Sequence, residues 1–197
     1  NLFKFFLSRL LIKLHLSKFF IITQKYYNLR FYPSILSREL WINPKYLEVY
    51  WKYRTEFFWK YLLPGDVVVD IGSHIGTVTL ESAAKVGNSG KIYSIEAHPK
   101  IFKFLNGNIS LNRFQNIRTF NVALGDTSKI VNFSDLHTDP SNIVISTETG
   151  IKVQMKKLDD LPILESKISL LKIYVEGYEK FVLLGAKNFL SKVDCIH

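Results

Sequence analysis

The sequence has very little cysteine: Cys195 is the one cysteine among 197 residues. A single thiol forms no internal disulfide and cannot build a thiolate metal cluster. We therefore expect no metal site and a reducing, cytoplasmic compartment. The 47% hydrophobic content is enough for one domain with its own core, with an appendage at most.

A long uninterrupted apolar run is also missing. The N-terminal segment "NLFKFFLSRLLIKLHLSKFFII" is rich in Phe, Leu and Ile, but a basic residue falls in nearly every helical turn. A membrane span needs about 20 mostly uncharged residues, so we expect none here. Two interpretations stay open for residues 1–22. They form a basic helix in peripheral contact with an anionic membrane, or a helix packed on the domain or on a partner chain.

Acidic residues are scarce in the N-terminal part of the chain. Residues 1–62 contain eleven Lys and Arg against three Glu, whereas the remainder has fifteen basic against fourteen acidic residues. The net charge of +9 therefore belongs mainly to an N-terminal arm. The sequence also lacks the aspartate-proline-proline-tyrosine type of motif used for base methylation, so we expect no nucleic-acid partner.

We divide the chain at residue 62. Residues 1–62 are predicted to be a basic, aromatic-rich helical arm, irregular at 25–44 and helical from 45 to the "LPGD" turn. Residues 63–197 are predicted to be the domain. Because the chain starts without Met and stops in the apolar run "VDCIH", we expect a fragment whose C-terminal strands are missing.

From Val67 onward, apolar β-branched strands alternate with helical segments. The strands are "VVVDIG", "KIYSIEA", "IRTFNVAL" and "LLKIYVEG", and the helices are "TVTLESAAKVG", "PKIFKFLNGNISLN" and "EKFVLLGAKNFLSK". We also expect Asp159 and Asp160 to start a helix, since acids are favoured there. This alternation predicts an α/β fold with a doubly wound, mainly parallel sheet covered on both faces.

The turn in "VVVDIGSHIG" lacks two features of nucleotide-binding loops. Dinucleotide-binding turns carry G-x-G-x-x-G, because the second glycine lets the backbone approach a pyrophosphate. Here Ser73 follows Gly72, His74 stands in the place of the second glycine, and the next glycine is Gly76. The lysine of a P-loop is missing too. The pattern disfavours both a dinucleotide and a nucleoside triphosphate.

Glu96 lies at the carboxyl end of the next strand, about 20 residues after the glycine turn, where an acidic side chain can accept hydrogen bonds from two ribose hydroxyls. Such a carboxylate fits both NAD and S-adenosylmethionine. Together with a turn unsuited to a pyrophosphate, it favours S-adenosylmethionine. An NAD-dependent oxidoreductase is the disfavoured alternative.

Four ordered segments, "DIGSHIG", "SIEAHP", "NVALGD" and "LKIYVEGYE", resemble the motifs of the FkbM-type methyltransferases, a class I S-adenosylmethionine-dependent group. The resemblance covers about residues 64–186. It implies a Rossmann-like methyltransferase fold and S-adenosylmethionine as cofactor. It also implies O-methylation of a hydroxyl on a saccharide, a lipid-linked molecule or another small acceptor.

The resemblance further implies a set of cofactor-binding residues. The cofactor would lie against the glycine turn, the ribose carboxylate and the segment beside the adenine ring. Asp70 would organise the turn and the ammonium group of the cofactor, and Asp126 would accept from the adenine amino group. The full set is Asp70, Gly72, Ser73, His74, Gly76, Glu96, Ala123, Leu124, Gly125 and Asp126.

In the same resemblance the end of the fourth strand faces the reacting methyl group, and its candidate catalytic residues are Tyr174, Glu176 and Glu179. Glu176 and Glu179 are candidates for proton acceptor or substrate contact; the alternative is that either carboxylate caps the following helix. The family pattern has Asp at the position of Tyr174, and a tyrosine hydroxyl, with a pKa of ~10, is a poor base at neutral pH. The alternative function is therefore a catalytically silent cofactor-binding or scaffold domain.

Overall fold

The computed structural model describes residues 6, 7, 10, 14, 16, 21–24, 28–32, 56–58, 60–135, 143–145 and 150–197. In chain order the strands are β1 (Ile22–Gln24), β2 (Leu29–Phe31), β3 (Val67–Ile71), β4 (Lys91–Ile95), β5 (Ile117–Phe120), β6 (Ala123–Leu124), β7 (Lys129–Phe133), β8 (Val144–Ile145), β9 (Ile151–Lys156) and β10 (Leu170–Ile173). The α-helices are α1 (Thr77–Val86), α2 (Pro99–Asn112) and α3 (Glu179–Leu184), and two 3-10 helices lie at Leu158–Asp160 and Phe189–Lys192.

The main sheet is parallel, with the strand order β10-β3-β4-β5. Residues 193–197 run beside β10, because the Leu171 N–H donates to the Cys195 carbonyl (2.8 Å) and the Ile173 N–H donates to the His197 carbonyl (2.9 Å). The carboxyl ends of β3, β4 and β10 therefore meet at one edge. This is the mainly parallel α/β sheet that the alternation of strands and helices predicted.

Both faces of this sheet are covered, and successive residues of β3 show how. Val68 packs with Val78 and Val86 of α1 on one face. Val69 points to the opposite face, where it packs with Val182 of α3. Burial of apolar side chains, at about 25 cal/mol per Å² removed from water, thus holds helices against both sides. The short strands need this double cover, because apolar side chains lie on both of their faces and the polar side chains among them, Asp70, Ser94 and Lys172, are buried as well.

Helices α1 and α2 begin and end at residues that suit those positions. Gly76, with φ 92°, is the N-cap of α1, and the Gly87 N–H donates to the Ala83 carbonyl (3.2 Å) at the other end. Pro99 is the first residue of α2, where a missing N–H is no loss. The ring of the N-cap His98 accepts from the Lys100 N–H (3.2 Å). Both predicted helices are confirmed.

The strand predicted from "IRTFNVAL" is wrong, because the structure divides it between two sheets. β5 ends at Phe120 in the parallel sheet, and β6 pairs with β9 in a second, mixed sheet with the order β6-β9-β7-β8. Between them, the Asn121 amide donates to the carbonyls of Glu96 (2.8 Å) and Ala97 (3.0 Å). This contact ties the break to the turn that follows β4.

The helix predicted from "EKFVLLGAKNFLSK" is also wrong in its length. α3 ends at Leu184, with Gly185 as its C-cap, and a separate 3-10 helix follows. The Asp159 carboxylate accepts from the N–H groups of Asn188 (3.2 Å) and Phe189 (2.7 Å), which supplies the second helix with its own start. Asp159 itself lies with Asp160 in a 3-10 helix of three residues, so its main contact is to a later segment.

The described part of the N-terminal segment packs on the domain in two places. Leu29 and Phe31 of β2 are buried in a cluster with Ile75 and Leu80. Near the predicted boundary, residues 56–58, 60 and 61 are helical, and Phe58 joins the core beside α1. The strand at β2 corrects the expectation of an irregular stretch there. Most of the predicted helix at 45–62 lies outside the described residues, and the division at residue 62 stays a prediction.

Side chains near the start of the chain are exposed. Phe6, Leu10 and Leu14 are 60%, 52% and 53% exposed, and residues 6, 7 and 10 are helical. No helix in the described part of the chain has the length and apolar character that a membrane span requires. The basic residues of this segment lie outside the described residues.

Candidate cofactor and acceptor site

The turn after β3 is held by backbone hydrogen bonds to β4 and by close contact with β10. The N–H groups of Gly72 and Ser73 both donate to the Ile95 carbonyl (3.0 Å each). The Ser73 hydroxyl donates to the Asp70 carbonyl (2.7 Å). At Gly72, which has φ 73°, a Cβ would overlap the Tyr174 carbonyl oxygen. Glycine is therefore required here by both conformation and space.

A buried ion pair lies beneath this turn. Asp70 and Lys172 are 0% and 5% exposed, and the Lys172 ammonium lies 2.9 Å from the Asp70 Oδ1 atom. The ammonium also donates to the carbonyls of Ile71 (3.1 Å) and Gly72 (2.8 Å). Lys172 thus joins β10 to the start of the glycine turn. Removal of one partner from a buried pair of this kind leaves an uncompensated charge in the core, which is strongly destabilising.

The second oxygen of Asp70 is bound from the other side. The Thr79 hydroxyl donates to Asp70 Oδ2 (2.6 Å), and the Ser94 hydroxyl lies 2.8 Å from the Thr79 oxygen. Since Thr79 has a single hydroxyl proton, Ser94 is the donor in the second bond. Asp70 therefore organises the turn from inside the core. Its enclosed carboxylate does not reach the surface at which the ammonium of a ligand would arrive.

Glu96 connects the two turns at the carboxyl edge. Its Oε2 atom accepts from the His74 N–H (2.9 Å), and its Oε1 atom accepts from the His98 N–H (2.8 Å). Burial raises the pKa of this carboxyl above its ordinary value of 4.5, although the N–H groups of His98 and His74 oppose the shift. Each carboxylate oxygen accepts more than one hydrogen bond, so both oxygens retain capacity for a hydroxyl donor.

The predicted adenine-side segment lies in the second sheet, next to this edge. Ala123 is buried in a cluster against which Ala97, the neighbour of Glu96, also packs. The Gly125 N–H donates to the Lys156 carbonyl (3.0 Å). The pKa of the Tyr178 hydroxyl is raised above its ordinary value, first by burial and second by the negative charge of the nearby Asp126. Ala123 and Leu124 are both buried, in two different core clusters, and the half-buried Asp126 follows them.

The end of β10 is far more exposed. Tyr174 is 55% exposed, and the Lys172 ammonium lies 5.7 Å from the centre of its ring. Glu176 is exposed and has φ 50°, and the following Gly177 has φ 88°. Two successive residues after β10 thus have left-handed backbone conformations.

Glu179 faces its own loop. Its Oε1 atom accepts from the N–H groups of Val175 (3.1 Å) and Gly177 (3.3 Å). Burial raises the pKa of this carboxyl, but the backbone N–H groups of Glu179, Val175 and Gly177 outweigh it, so the pKa lies below its ordinary value. The carboxylate shapes the loop before α3; capping of that helix by Glu176 or Glu179 stays a prediction, since no side-chain hydrogen bond is made by its N-cap residue Tyr178.

Sequence reasoning missed the residues that support the site from behind. Lys172 stood inside the quoted segment "LKIYVEGYE", and a single charge within an apolar strand was an available signal for a buried partner. Thr79, Ser94 and Asn121 gave no such signal, because their contacts are with residues distant in sequence.

The parallel sheet, the glycine turn after β3 and the carboxylate after β4 together define a class I, Rossmann-like methyltransferase fold. The chain matches the family described as "Methyltransferase FkbM domain" over residues 70–197, which is more than half of its length. It therefore belongs to the FkbM methyltransferase family, as the four sequence segments predicted. S-adenosylmethionine is the cofactor of this family, which confirms the predicted cofactor.

Solved structures similar to the chain include methyltransferase FkbM from Methylobacillus flagellatus KT, with 15% identity and a TM-score of 0.47, where the match covers 80% of this chain and 42% of that one. Another is precorrin-6y C5,15-methyltransferase from Geobacter metallireducens GS-15, with 16% identity and a TM-score of 0.45, covering 73% of this chain and 57% of that one. The chain thus spans about half the length of these proteins. No curated protein matches it.

Proposed function

We propose that this chain binds S-adenosylmethionine at the carboxyl edge of β3 and β4 and methylates a hydroxyl oxygen of a saccharide, a lipid-linked molecule or another small acceptor. The observation that carries the proposal is Glu96, a buried carboxylate that binds the backbone of both turns and is only 7% exposed. A ligand with a free ribose diol fits such a group, because hydroxyl donors favour its charged form.

The residues present fit the cofactor. Glu96 would accept from the ribose hydroxyls, and Ala123 and Leu124 would contact the adenine ring, with Asp126 beside its amino group. The turn from Gly72 to Gly76 would lie along the methionine part. Its N–H groups at Gly72, Ser73 and His74 are already bound to Ile95 and Glu96. This agrees with a ligand that brings no pyrophosphate to the turn.

The bound cofactor would supply an activated methyl group, which leaves the protein two tasks: to orient an acceptor oxygen and to take its proton. Glu176 is our candidate for the proton acceptor, because its side chain is exposed at the end of β10. Glu179 is assigned to positioning, since its carboxylate is bound to Val175 and Gly177. Tyr174 would line the approach of the acceptor.

The binding part of the proposal is tested by calorimetric titration with S-adenosylmethionine. We expect Glu96→Ala to weaken binding roughly 100-fold, since hydrogen bonds to a charged group contribute about 1.5–3 kcal/mol each. Glu165→Ala is the matched control: Glu165 also binds β4, through Lys91 (2.8 Å) and Tyr93 (2.6 Å), but away from the glycine turn. Unchanged affinity in a folded Glu96→Ala protein would refute the site.

The turnover part is tested by release of S-adenosylhomocysteine with panels of sugar and lipid-linked hydroxyl acceptors. We expect Glu176→Gln to lower the rate by about 100-fold or more, the range for loss of a general base, with cofactor affinity unchanged. Glu179→Gln should instead loosen the loop and lower stability. Equal rates for Glu176→Gln and the unmodified protein would remove Glu176 from the mechanism.

A second candidate function is a cofactor-binding domain without turnover, and Tyr174 favours it. The position at the end of β10 carries an exposed phenol where the family pattern has a carboxylate. This candidate predicts cofactor binding without product, and the appearance of turnover in Tyr174→Asp. Turnover by the unmodified chain with any acceptor would exclude it.

We further propose peripheral membrane contact through residues 1–22. The support is the exposure of Phe6, Leu10, Leu14 and Ile21, together with the basic residues of the same segment. Apolar insertion and attraction to anionic lipid act together in such segments. Co-sedimentation with phosphatidylglycerol vesicles, and much less with phosphatidylcholine vesicles, is the expected result. Equal recovery with both vesicles would contradict it.

A further inference from the structure

One buried side-chain amide joins the N-terminal segment to the glycine turn. Asn108 of α2 is 0% exposed. Its Oδ1 atom accepts from the N–H of Tyr32, the residue after β2 (2.8 Å), and its Nδ2 atom donates to the Ile75 carbonyl (2.8 Å). Ile75 lies between His74 and Gly76. The amide thus connects two segments that lie more than forty residues apart in the sequence. Asn108 itself is 76 residues from Tyr32 and 33 residues from Ile75.

The surroundings of this amide are apolar. Ile75, Leu29 and Phe31 are 2%, 3% and 1% exposed and share one cluster with Leu80. Water does not replace a lost hydrogen bond in such a place without cost. A carbonyl left unpaired there lowers the free energy of unfolding by about 1–3 kcal/mol. Both ends of the amide are therefore required, and its orientation is fixed by a donor on one side and an acceptor on the other.

Asn112, one turn later on α2, provides an internal comparison. Its Oδ1 atom accepts from the Arg30 N–H (2.8 Å), and its Nδ2 atom donates to the carbonyls of Arg30 (2.7 Å) and Asn108 (2.7 Å). It holds the same N-terminal strand through the same chemical group. Its hydrogen bonds are to β2 and to its own helix, whereas those of Asn108 extend to the glycine turn.

We propose that Asn108 is a positioning residue for the cofactor site. Strand β2, which Asn108 joins to the glycine turn, contributes to that site through this contact. The hydrogen bond to the Ile75 carbonyl fixes the peptide that follows Ile75. That peptide sets the path from His74, whose N–H binds Glu96, to Gly76, the N-cap of α1. The proposal rests on S-adenosylmethionine binding at this turn.

The test compares Asn108→Ala with Asn112→Ala in the full chain. Three quantities are measured for each: unfolding in urea, amide hydrogen exchange of residues 72–76, and S-adenosylmethionine affinity by calorimetry. Both variants should unfold at lower urea concentration. Only Asn108→Ala should raise exchange at 72–76 in the folded state and weaken affinity, by about five- to tenfold, the equivalent of one lost hydrogen bond. Asn112→Ala should bind within about twofold of the unmodified chain.

Two outcomes would overturn the proposal: equal loss of affinity in both variants, or unchanged exchange at 72–76 in Asn108→Ala. If Asn108→Ala does not fold, Asn108→Ser leaves a smaller cavity and is measured in its place. If the unmodified chain binds no S-adenosylmethionine, the proposed function fails. The exchange comparison then still decides whether Asn108 holds the turn.

Discussion

Two parts of the carboxyl edge of the parallel sheet, one after β3 and β4 and the other after β10, differ in how deeply their polar side chains are buried. After β3 and β4, the polar groups are inside the fold: Asp70, Ser73 and Glu96 are 0%, 3% and 7% exposed and are bound to neighbouring backbone or side chains. After β10, Tyr174 is 55% exposed and Glu176 also faces solvent. We call the part after β3 and β4 the preformed half of this edge and the part after β10 the open half.

Under the proposed function, the two halves would correspond to the two ligands of a methyltransferase. The cofactor is the same in every turnover, so the groups that hold it can be fixed before it arrives, which lowers the entropy lost on binding. In the proposed function the acceptor would be bound at the open half, where the backbone has positive φ at Glu176 and Gly177 and the side chains of Tyr174 and Glu176 are exposed. Residues 136–142 and 146–149, which flank the strand Val144–Ile145, lie outside the described residues.

The largest effect should come from breaking the buried ion pair of the preformed half. Lys172→Met leaves the Asp70 carboxylate buried without its cation, and we expect a loss of about 3–5 kcal/mol in the free energy of unfolding. Lys91→Met is the control, because the Lys91–Glu165 pair (2.8 Å) has a lysine that is 60% exposed, and exposed pairs contribute about 1 kcal/mol or less. Urea denaturation of both variants measures the difference. Similar losses would show that burial of the pair is not what matters.

A second comparison uses one glycine from each half. In Gly72→Ala the new methyl group would overlap the Tyr174 carbonyl at a residue with φ 73°. In Gly177→Ala it would meet no atom within 4 Å, at φ 88°. We expect a loss of about 1–2 kcal/mol in Gly177→Ala, from backbone strain alone. Overpacking should add about 1–3 kcal/mol in Gly72→Ala. Thermal unfolding distinguishes them, and equal losses would place the close contact in doubt.

The smallest effect concerns pH. Burial raises the pKa of Glu96 in the ligand-free protein, whereas ribose hydroxyls would favour its charged form. Affinity for S-adenosylmethionine should therefore fall as pH falls through the raised pKa, by at most about tenfold per pH unit. The stability of the ligand-free protein depends on pH in the opposite direction. The contribution of Glu96 to the free energy of unfolding is full below the ordinary pKa of 4.5 and is lost as pH rises through the raised pKa.

Titration calorimetry from pH 5 to 8 measures the first of these trends, and Glu96→Gln is the control because it has no proton to gain. A variant that shows the same pH dependence as the unmodified protein would assign the effect to another group.

Local sequence signals predicted the helices that have local caps. Pro99 and the periodic apolar residues after it gave α2 its observed bounds, and Gly76 and Gly87 did nearly the same for α1. The family segments indicated the cofactor and the two turns. These features depend on residues within a few positions of each other, which is why one sequence was sufficient.

The remaining features depend on contacts between distant residues. The break between the two strands after Phe120 coincides with a hydrogen bond from the Asn121 amide to the Glu96 carbonyl, 25 residues away. The end of α3 goes with Asp159 binding Asn188, 29 residues away. Lys172 meets Gly72 across 100 residues. Hydropathy patterns describe a residue's own segment, and so they do not contain these pairings.

Gly185 and Gly125 bring the end of α3 into close backbone contact with the segment that follows β6. A Cβ on Gly185 would overlap the Gly125 carbonyl, although Gly185 has an ordinary φ of −89°. The C-terminal end of α3 therefore rests directly on the backbone beyond β6. A side chain at Gly185 would therefore displace the end of α3 from this segment, whereas a side chain at Gly125 would overlap the sulfur of Met155 in β9.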